Sequence, residues 1–209
     1  MIEMHMDEYQ KVKNFTYYEY CDYLQKKYGI GKADYYTKSF YPNKKCSRTS
    51  EGLVAHHKKE DTMICLSNRM IAKKCPFEWQ QKENIVYCDY LEHLLLHVLI
   101  RKEFPETILG LGGIIDYIIP ELNDVYSGWV TKQPWRKNLH NKVIHDKSVY
   151  LEIIRQFYDI EKSNNDFNID RICRSCNERF GHWDNKRNYP LYNKIKKKCK
   201  SLNRKRSEP

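Results

Sequence analysis

Leu53-Val54-Ala55-His56-His57 and, after an interval of 26 residues, Asn84-Ile85-Val86-Tyr87-Cys88-Asp89-Tyr90-Leu91-Glu92-His93-Leu94-Leu95-Leu96-His97 decide how this chain reads. The first stretch is a short apolar run ending in two histidines, a candidate strand. Asn84 to Cys88 is rich in β-formers and reads as a second strand. Asp89 and Glu92 have capping-box spacing, so a helix is expected from Leu91 to Lys102, ended by Pro105. His93 and His97, four apart on that helix, share one face about a turn apart. His56 and His57, adjacent on a strand, point to opposite sides. His56 is then placed to face the helix and share a metal with His93, while His57 faces a substrate. A slip of one residue in strand register would exchange the two. The Asn84 amide is placed to tie the loop between the strands through backbone hydrogen bonds. A metal ligand beside a free imidazole suits phosphodiester hydrolysis. The metal neutralises the charge of the transition state, and the imidazole accepts a proton from water near neutral pH.

This block resembles the HNH, or ββα-metal, endonucleases. That family has a His or Asp next to a His at the end of its first strand, and an Asn opening a short second strand. A further His follows nine residues later, often with another four residues beyond. The resemblance implies a ββα-metal finger embedded in a mostly helical α+β chain. It implies His57 as general base, Asn84 as the residue that fixes the loop, and His56 and His93 as metal ligands. His97 would be a third ligand or a phosphate contact. The implied activity is hydrolysis of DNA, double-stranded in the first instance, with Mg²⁺ as the usual ion and Mn²⁺, Ni²⁺ or Zn²⁺ tolerated. The match covers about 50 of the 209 residues. The interval from Lys58 to Glu83 is longer than in compact members, and it is expected to pack outside the finger. Glu60, Asp61 and Asp89 are further candidate ligands, for which solvated loop carboxylates or caps are the simpler reading, and Glu92 reads as the helix cap instead of a catalytic acid. Two rival readings remain: a non-enzymatic nucleic-acid-binding protein whose His and Cys residues hold structural zinc, and a nuclease acting on RNA.

Three segments follow: an N-terminal helical segment (1–45), the nuclease-like core with its insertion (46–104, insertion 58–83), and a helical C-terminal region (105–209). Thr16 and Glu19 form another capping-box pattern, opening a helix that Gly29 stops near Tyr28. Its Tyr17, Tyr20, Cys21, Leu24 and Tyr28 recur at helical steps and read as one buried stripe. Residues 29 to 50 read as a connector. Ser67 is a candidate cap for a short helix through Ala72. Ile114, Ile115, Ile118 and Ile119 suggest a buried helix stopped near Pro120. Val149, Ile153, Ile154, Phe157 and Ile160 make another apolar face, with Ser148 as its candidate cap.

The chain has eight cysteines, no apolar run near the ~20 residues of a membrane span, and no signal-peptide pattern at its start. The expectation is an intracellular, cytoplasmic protein with reduced thiols or metal-bound cysteines. Cys173-Arg174-Ser175-Cys176, with His182 and Cys199, supplies four soft ligands of the kind a structural Zn²⁺ takes. Reduced buried thiols are the simpler reading. The formal charge of +10 favours a polyanionic partner. The stretch from 186 to 206 holds ten cations and no acid, so the rest of the chain is charge-balanced. Lys194, Lys196, Lys197, Lys198, Lys200, Arg204, Lys205 and Arg206 are therefore expected to form a cationic extension that binds the DNA backbone. Its removal should flatten the salt dependence of binding and spare the metal site.

Overall fold

The structure, a computed structural model, describes residues 6–164, 167–176 and 184–200. It is mostly helical, with one antiparallel two-stranded sheet, and belongs to the α+β class. Strand β1 (Val54–His57) pairs with β2 (Ile85–Cys88) in a register that sets His56 opposite Val86 and His57 opposite Ile85. Before them come α1 (Met6–Val12) and α2 (Tyr17–Tyr28), and between them the short α3 (Arg69–Ala72). After β2 come α4 (Tyr90–Glu103), a π-helical turn (Gly113–Ile118), α5 (Ile119–Ser127), α6 (Pro134–Val143), α7 (Lys147–Glu161), α8 (Ile169–Arg174) and α9 (Asn185–Lys200).

Local sequence explains where the site-bearing helix starts. Asp89 Oδ1 accepts from the Leu91 and Glu92 amides at 2.9 Å, and the Glu92 carboxylate accepts from the Asp89 amide at 2.8 Å. The same reciprocal box at Thr16 and Glu19 opens α2. Helix α4 is buried from Tyr90 to Arg101, as a helix apolar on nearly every face must be. It packs against α2, α5, α6 and α7, and one continuous core runs from Tyr9 to Cys199. The three segments read from the sequence therefore share that core. Three polar side chains of α4, His93, His97 and Arg101, are spaced by four and form a single stripe on it.

Several local expectations change. Asn68, not Ser67, caps α3, accepting from the Met70 amide. Asp146 precedes α7, and Ser148 lies inside it. Pro120 does not stop a helix: it sits in the first turn of α5, directly after the π-helical turn. A proline lacks the donor that would continue a regular ladder and crowds the carbonyl four residues back, and the wider π turn absorbs both defects. The insertion is not a loose excursion: Gln80 reaches back to His57 of β1. Leu66, Ala72 and Gln80 are fully buried, and Tyr35 donates its amide to the Gln80 carbonyl.

The expected cationic extension is the largest correction. Residues 185–200 form α9, which buries Leu191, Tyr192, Ile195 and Cys199 against α5, α7 and α8. Lys196 pairs with Asp170 at 2.9 Å, and Lys198 pairs with Glu152. Lys194, Lys197 and Lys200 remain exposed on its outer side. Arg204, Lys205, Arg206 and His182 lie outside the described residues. Among the described residues, no helix is long and apolar enough to cross a membrane.

Candidate metal centre

The sheet and α4 bring three imidazoles together. The ring centroids of His56, His93 and His97 lie 4.9–5.1 Å apart, and one potential ligand atom from each falls within 4.8 Å of the others. His93 Nε2 and His97 Nε2 are 3.2 Å apart. Two imidazole nitrogens on one tetrahedral zinc are separated by about 3.3 Å, so this pair is already at ligand spacing. All three rings are buried. Burial, reinforced by the neighbouring imidazoles, holds His56 and His93 well below the usual histidine range. Burial also lowers His97, opposed by the Glu60 carboxylate and the Gly110 backbone. Neutral imidazoles are what a metal requires.

Tyr17 is the hydrogen-bond partner of His56 Nε2. Its hydroxyl is 2.7 Å from His56 Nε2 and lies 3.1–3.2 Å from the carbonyls of His57 and Lys58, which only accept. With the Tyr17 proton donated to one of these carbonyls, its oxygen accepts from His56 Nε2–H. In that tautomer His56 Nδ1 keeps its lone pair; the atom is buried and finds no hydrogen-bond partner. An orphaned, lone-pair nitrogen beside two more imidazoles is a donor set that fits a metal ion.

His57 points to the other side of the strand, but not to open space as the sequence suggested: it is only 1 % exposed and does not line the cavity beside His93 and His97. Its Nε2 is 3.0 Å from Gln80 Oε1, and Gln80 Nε2 donates to the Leu66 carbonyl at 3.4 Å. A carbonyl oxygen only accepts, so His57 carries its proton on Nε2 and its lone pair on Nδ1. The Tyr35 ring packs 4.4 Å from its centroid. Glu60 stands between the two histidines of β1. Its carboxylate oxygens lie 3.8 Å from His56 Nδ1, 3.8 Å from His57 Nδ1 and 3.4 Å from His97 Nε2. Glu60 is thus not the solvated loop carboxylate read from the sequence: its side chain is only 15 % exposed. Asp89 and Glu92 are caps, as expected.

Asn84 sits in the turn that enters β2 and donates Nδ2 to the Glu78 carbonyl at 2.7 Å. The cysteines are elsewhere. Cys173, Cys176 and Cys199 are buried around α8 and α9, and among the described residues they do not close into a group at ligand spacing. Burial pushes the Cys173 and Cys199 thiols up to about 12, which keeps them protonated. The sequence missed Gln80, and it saw Tyr17 only as a core residue; neither carries a local signal for its role.

A cavity of about 580 Å³ opens onto His93, His97 and Glu60. Its wall includes Gly110, Gly112 and Gly113. A Cβ on Gly113 would lie 2.4 Å from the His97 ring, so only glycine lets the backbone cover that imidazole. The chain matches no protein-family model, no curated protein and no solved structure.

Proposed function

We propose that this chain is a metal-dependent endonuclease of the HNH, ββα-metal type, hydrolysing DNA phosphodiester bonds. The observation that carries the reading is the division of labour across β1. Of the adjacent histidines there, His56 joins His93 and His97 in a cluster of three neutral imidazoles, while His57 Nδ1 lies 3.8 Å from the Glu60 carboxylate, which stands equally far from His56 Nδ1. His56, His93 and His97 would hold the ion. Bound there, a divalent cation would neutralise charge on the phosphoryl oxygens and on the leaving 3′-oxygen. Three imidazoles suit Zn²⁺ or Ni²⁺ better than Mg²⁺, which prefers carboxylates and water. The reading therefore departs from the Mg²⁺ expected of the family.

The protein's own groups supply the proton transfer. Gln80 holds the His57 proton on Nε2, so Nδ1 is the base that takes a proton from water as its oxygen attacks phosphorus. Glu60, 3.8 Å from that nitrogen, is placed to orient the water. The Tyr17 hydroxyl keeps His56 Nδ1 free for the ion.

The test is cleavage of a supercoiled plasmid and of a single-stranded DNA circle with Zn²⁺, Ni²⁺, Mn²⁺ or Mg²⁺, and with EDTA. Cleavage by the wild type and its loss in His57→Ala with DNA binding intact are expected. No cleavage by the wild type, or full cleavage by the variant, would leave the zinc-stabilised binding protein as the better account.

A further inference from the structure

The histidine cluster is reached through a cavity that is open on one part of its wall, where Ile108 and Tyr117 are exposed. His93 and His97 line the 580 Å³ cavity but are only 7 % and 4 % exposed. The wall over them is anchored. Arg101 pairs with Glu161 at 2.6 Å and donates to the carbonyls of Phe104, Pro105, Thr107 and Leu109. Those bonds pin the segment that delivers Gly110 and Gly113 against the His97 backbone and ring. Such a buried, multiply bonded arginine makes the wall a fixed part of the fold.

A cavity of this volume suits a group the size of a small ligand. It does not admit a double helix, whose scissile phosphate stays on the outside of a wide rod. An unpaired nucleotide fits, and the lining matches one. Tyr35 and Tyr117 line it as aromatic surface for a base, and Ile108 and Ile115 as apolar surface. Arg171 stands at the rim and is shared with an adjoining shallow groove that contains Arg174. Both arginines are exposed. The pairing of Arg171 with Asp116 is 3.6 Å long and more than 60 % exposed on both sides, so it is weak and exchangeable. The other acid in the groove, Asp170, is already taken by Lys196 and Tyr192. The groove thus presents two exposed guanidinium groups, one of them shared with the cavity, as contacts for the phosphates next to a bound nucleotide.

We propose that the site takes an unpaired DNA strand, with one nucleotide in the cavity between Tyr35 and Tyr117 and the neighbouring phosphates on Arg171 and Arg174. The proposal rests on the nuclease reading for the chemistry and on the cavity for the choice of strand. It replaces the double-stranded substrate that the sequence suggested.

Binding and cleavage separate the two. A labelled 12-mer oligonucleotide, unpaired or in a blunt duplex of the same sequence, is titrated with metal-free full-length protein by fluorescence anisotropy. The unpaired strand should bind about tenfold or more tighter. Arg171→Ala with Arg174→Ala should lower the slope of log affinity against log salt by about 0.7 for each phosphate that is no longer neutralised. Equal or tighter binding of the duplex, or an unchanged slope in the double variant, overturns the proposal. A metal-supplemented incubation of both substrates then reads the chemistry. Cleavage combined with duplex preference keeps the nuclease reading and sinks this one. Unpaired-strand preference without cleavage of either substrate does the reverse, leaving a strand-binding cavity.

Discussion

Gln80 Oε1 lies 3.0 Å from His57 Nε2, with both side chains buried and the amide turned so that its nitrogen faces the Leu66 carbonyl. This hydrogen bond makes one residue of the long insertion the partner of the proposed base. Replacing it by Leu fills similar volume but lets the imidazole choose its tautomer. Gln80→Leu is expected to lower kcat by about 10-fold to 100-fold, the range seen when outer partners of active groups are removed. KM and metal affinity should stay near the wild type. Steady-state cleavage alongside a metal titration reads both, and a parallel loss of metal binding would show that Gln80 only supports the fold.

Tyr17 plays the matching part for His56. Tyr17→Phe keeps the buried ring and removes the hydroxyl that is hydrogen-bonded to Nε2. Affinity for Zn²⁺ should fall about 10-fold to 100-fold. Isothermal titration measures it, and an unchanged affinity would mean that ring packing alone orients His56.

Metal loading should also appear as stability. An ion that binds only the folded state adds about 2.7 kcal/mol at 100 times its Kd. Zn²⁺ should therefore raise the melting temperature of the wild type, and EDTA should reverse the rise. His97→Ala should abolish the shift. A shift that survives in that variant would place the ion elsewhere.

These relationships explain what the sequence could show. Thr16 with Glu19 and Asp89 with Glu92 are pairs within one turn, so spacing alone locates α2 and α4. His93 and His97 are likewise fixed by helical period, and His56 by its neighbour on the strand. Gln80 reaches His57 across 23 residues and Tyr17 reaches His56 across 39, through packing that no local pattern encodes. Glu60 was visible but looked like any loop carboxylate, because its meaning comes from three imidazoles converging on it. Helix α6 escaped because its apolar side is little more than Leu139 and Val143. In α9, lysines between the apolar positions masked the buried face.

Glu121 gives the fold a pH dependence away from the histidine cluster. Burial alone would raise its pKa, but hydrogen bonds from His140 at 3.0 Å and Arg136 at 2.7 Å prevail and hold it below the usual carboxylate range. The unfolded chain then takes up this proton first as pH falls. The stabilisation is complete above the unfolded value of about 4.3 and is lost as pH drops through the lower folded value. Glu121→Gln should be less stable at pH 7 by about 1–3 kcal/mol. Urea melts across pH 3 to 7 should show the two proteins converging at the acid end, and a constant difference would point to packing instead of charge.

The last helix decides between a tail and a core element. Deleting residues 185–209 removes Leu191, Tyr192, Ile195 and Cys199 from the core and leaves apolar faces of α5 and α7 open. Full burial of each large apolar side chain contributes about 1.5–3 kcal/mol, so the loss is comparable with the ~5–15 kcal/mol that holds a domain together. The truncated chain should lose its cooperative thermal transition, which circular dichroism would detect. Lys194→Gln with Lys197→Gln, on the exposed side, should change stability by no more than about 0.5 kcal/mol. That double variant, not the deletion, is the one that can report whether this face meets a phosphate backbone. If the deletion instead melts like the full chain, α9 contributes nothing to the core and the reading of a solvated extension is restored.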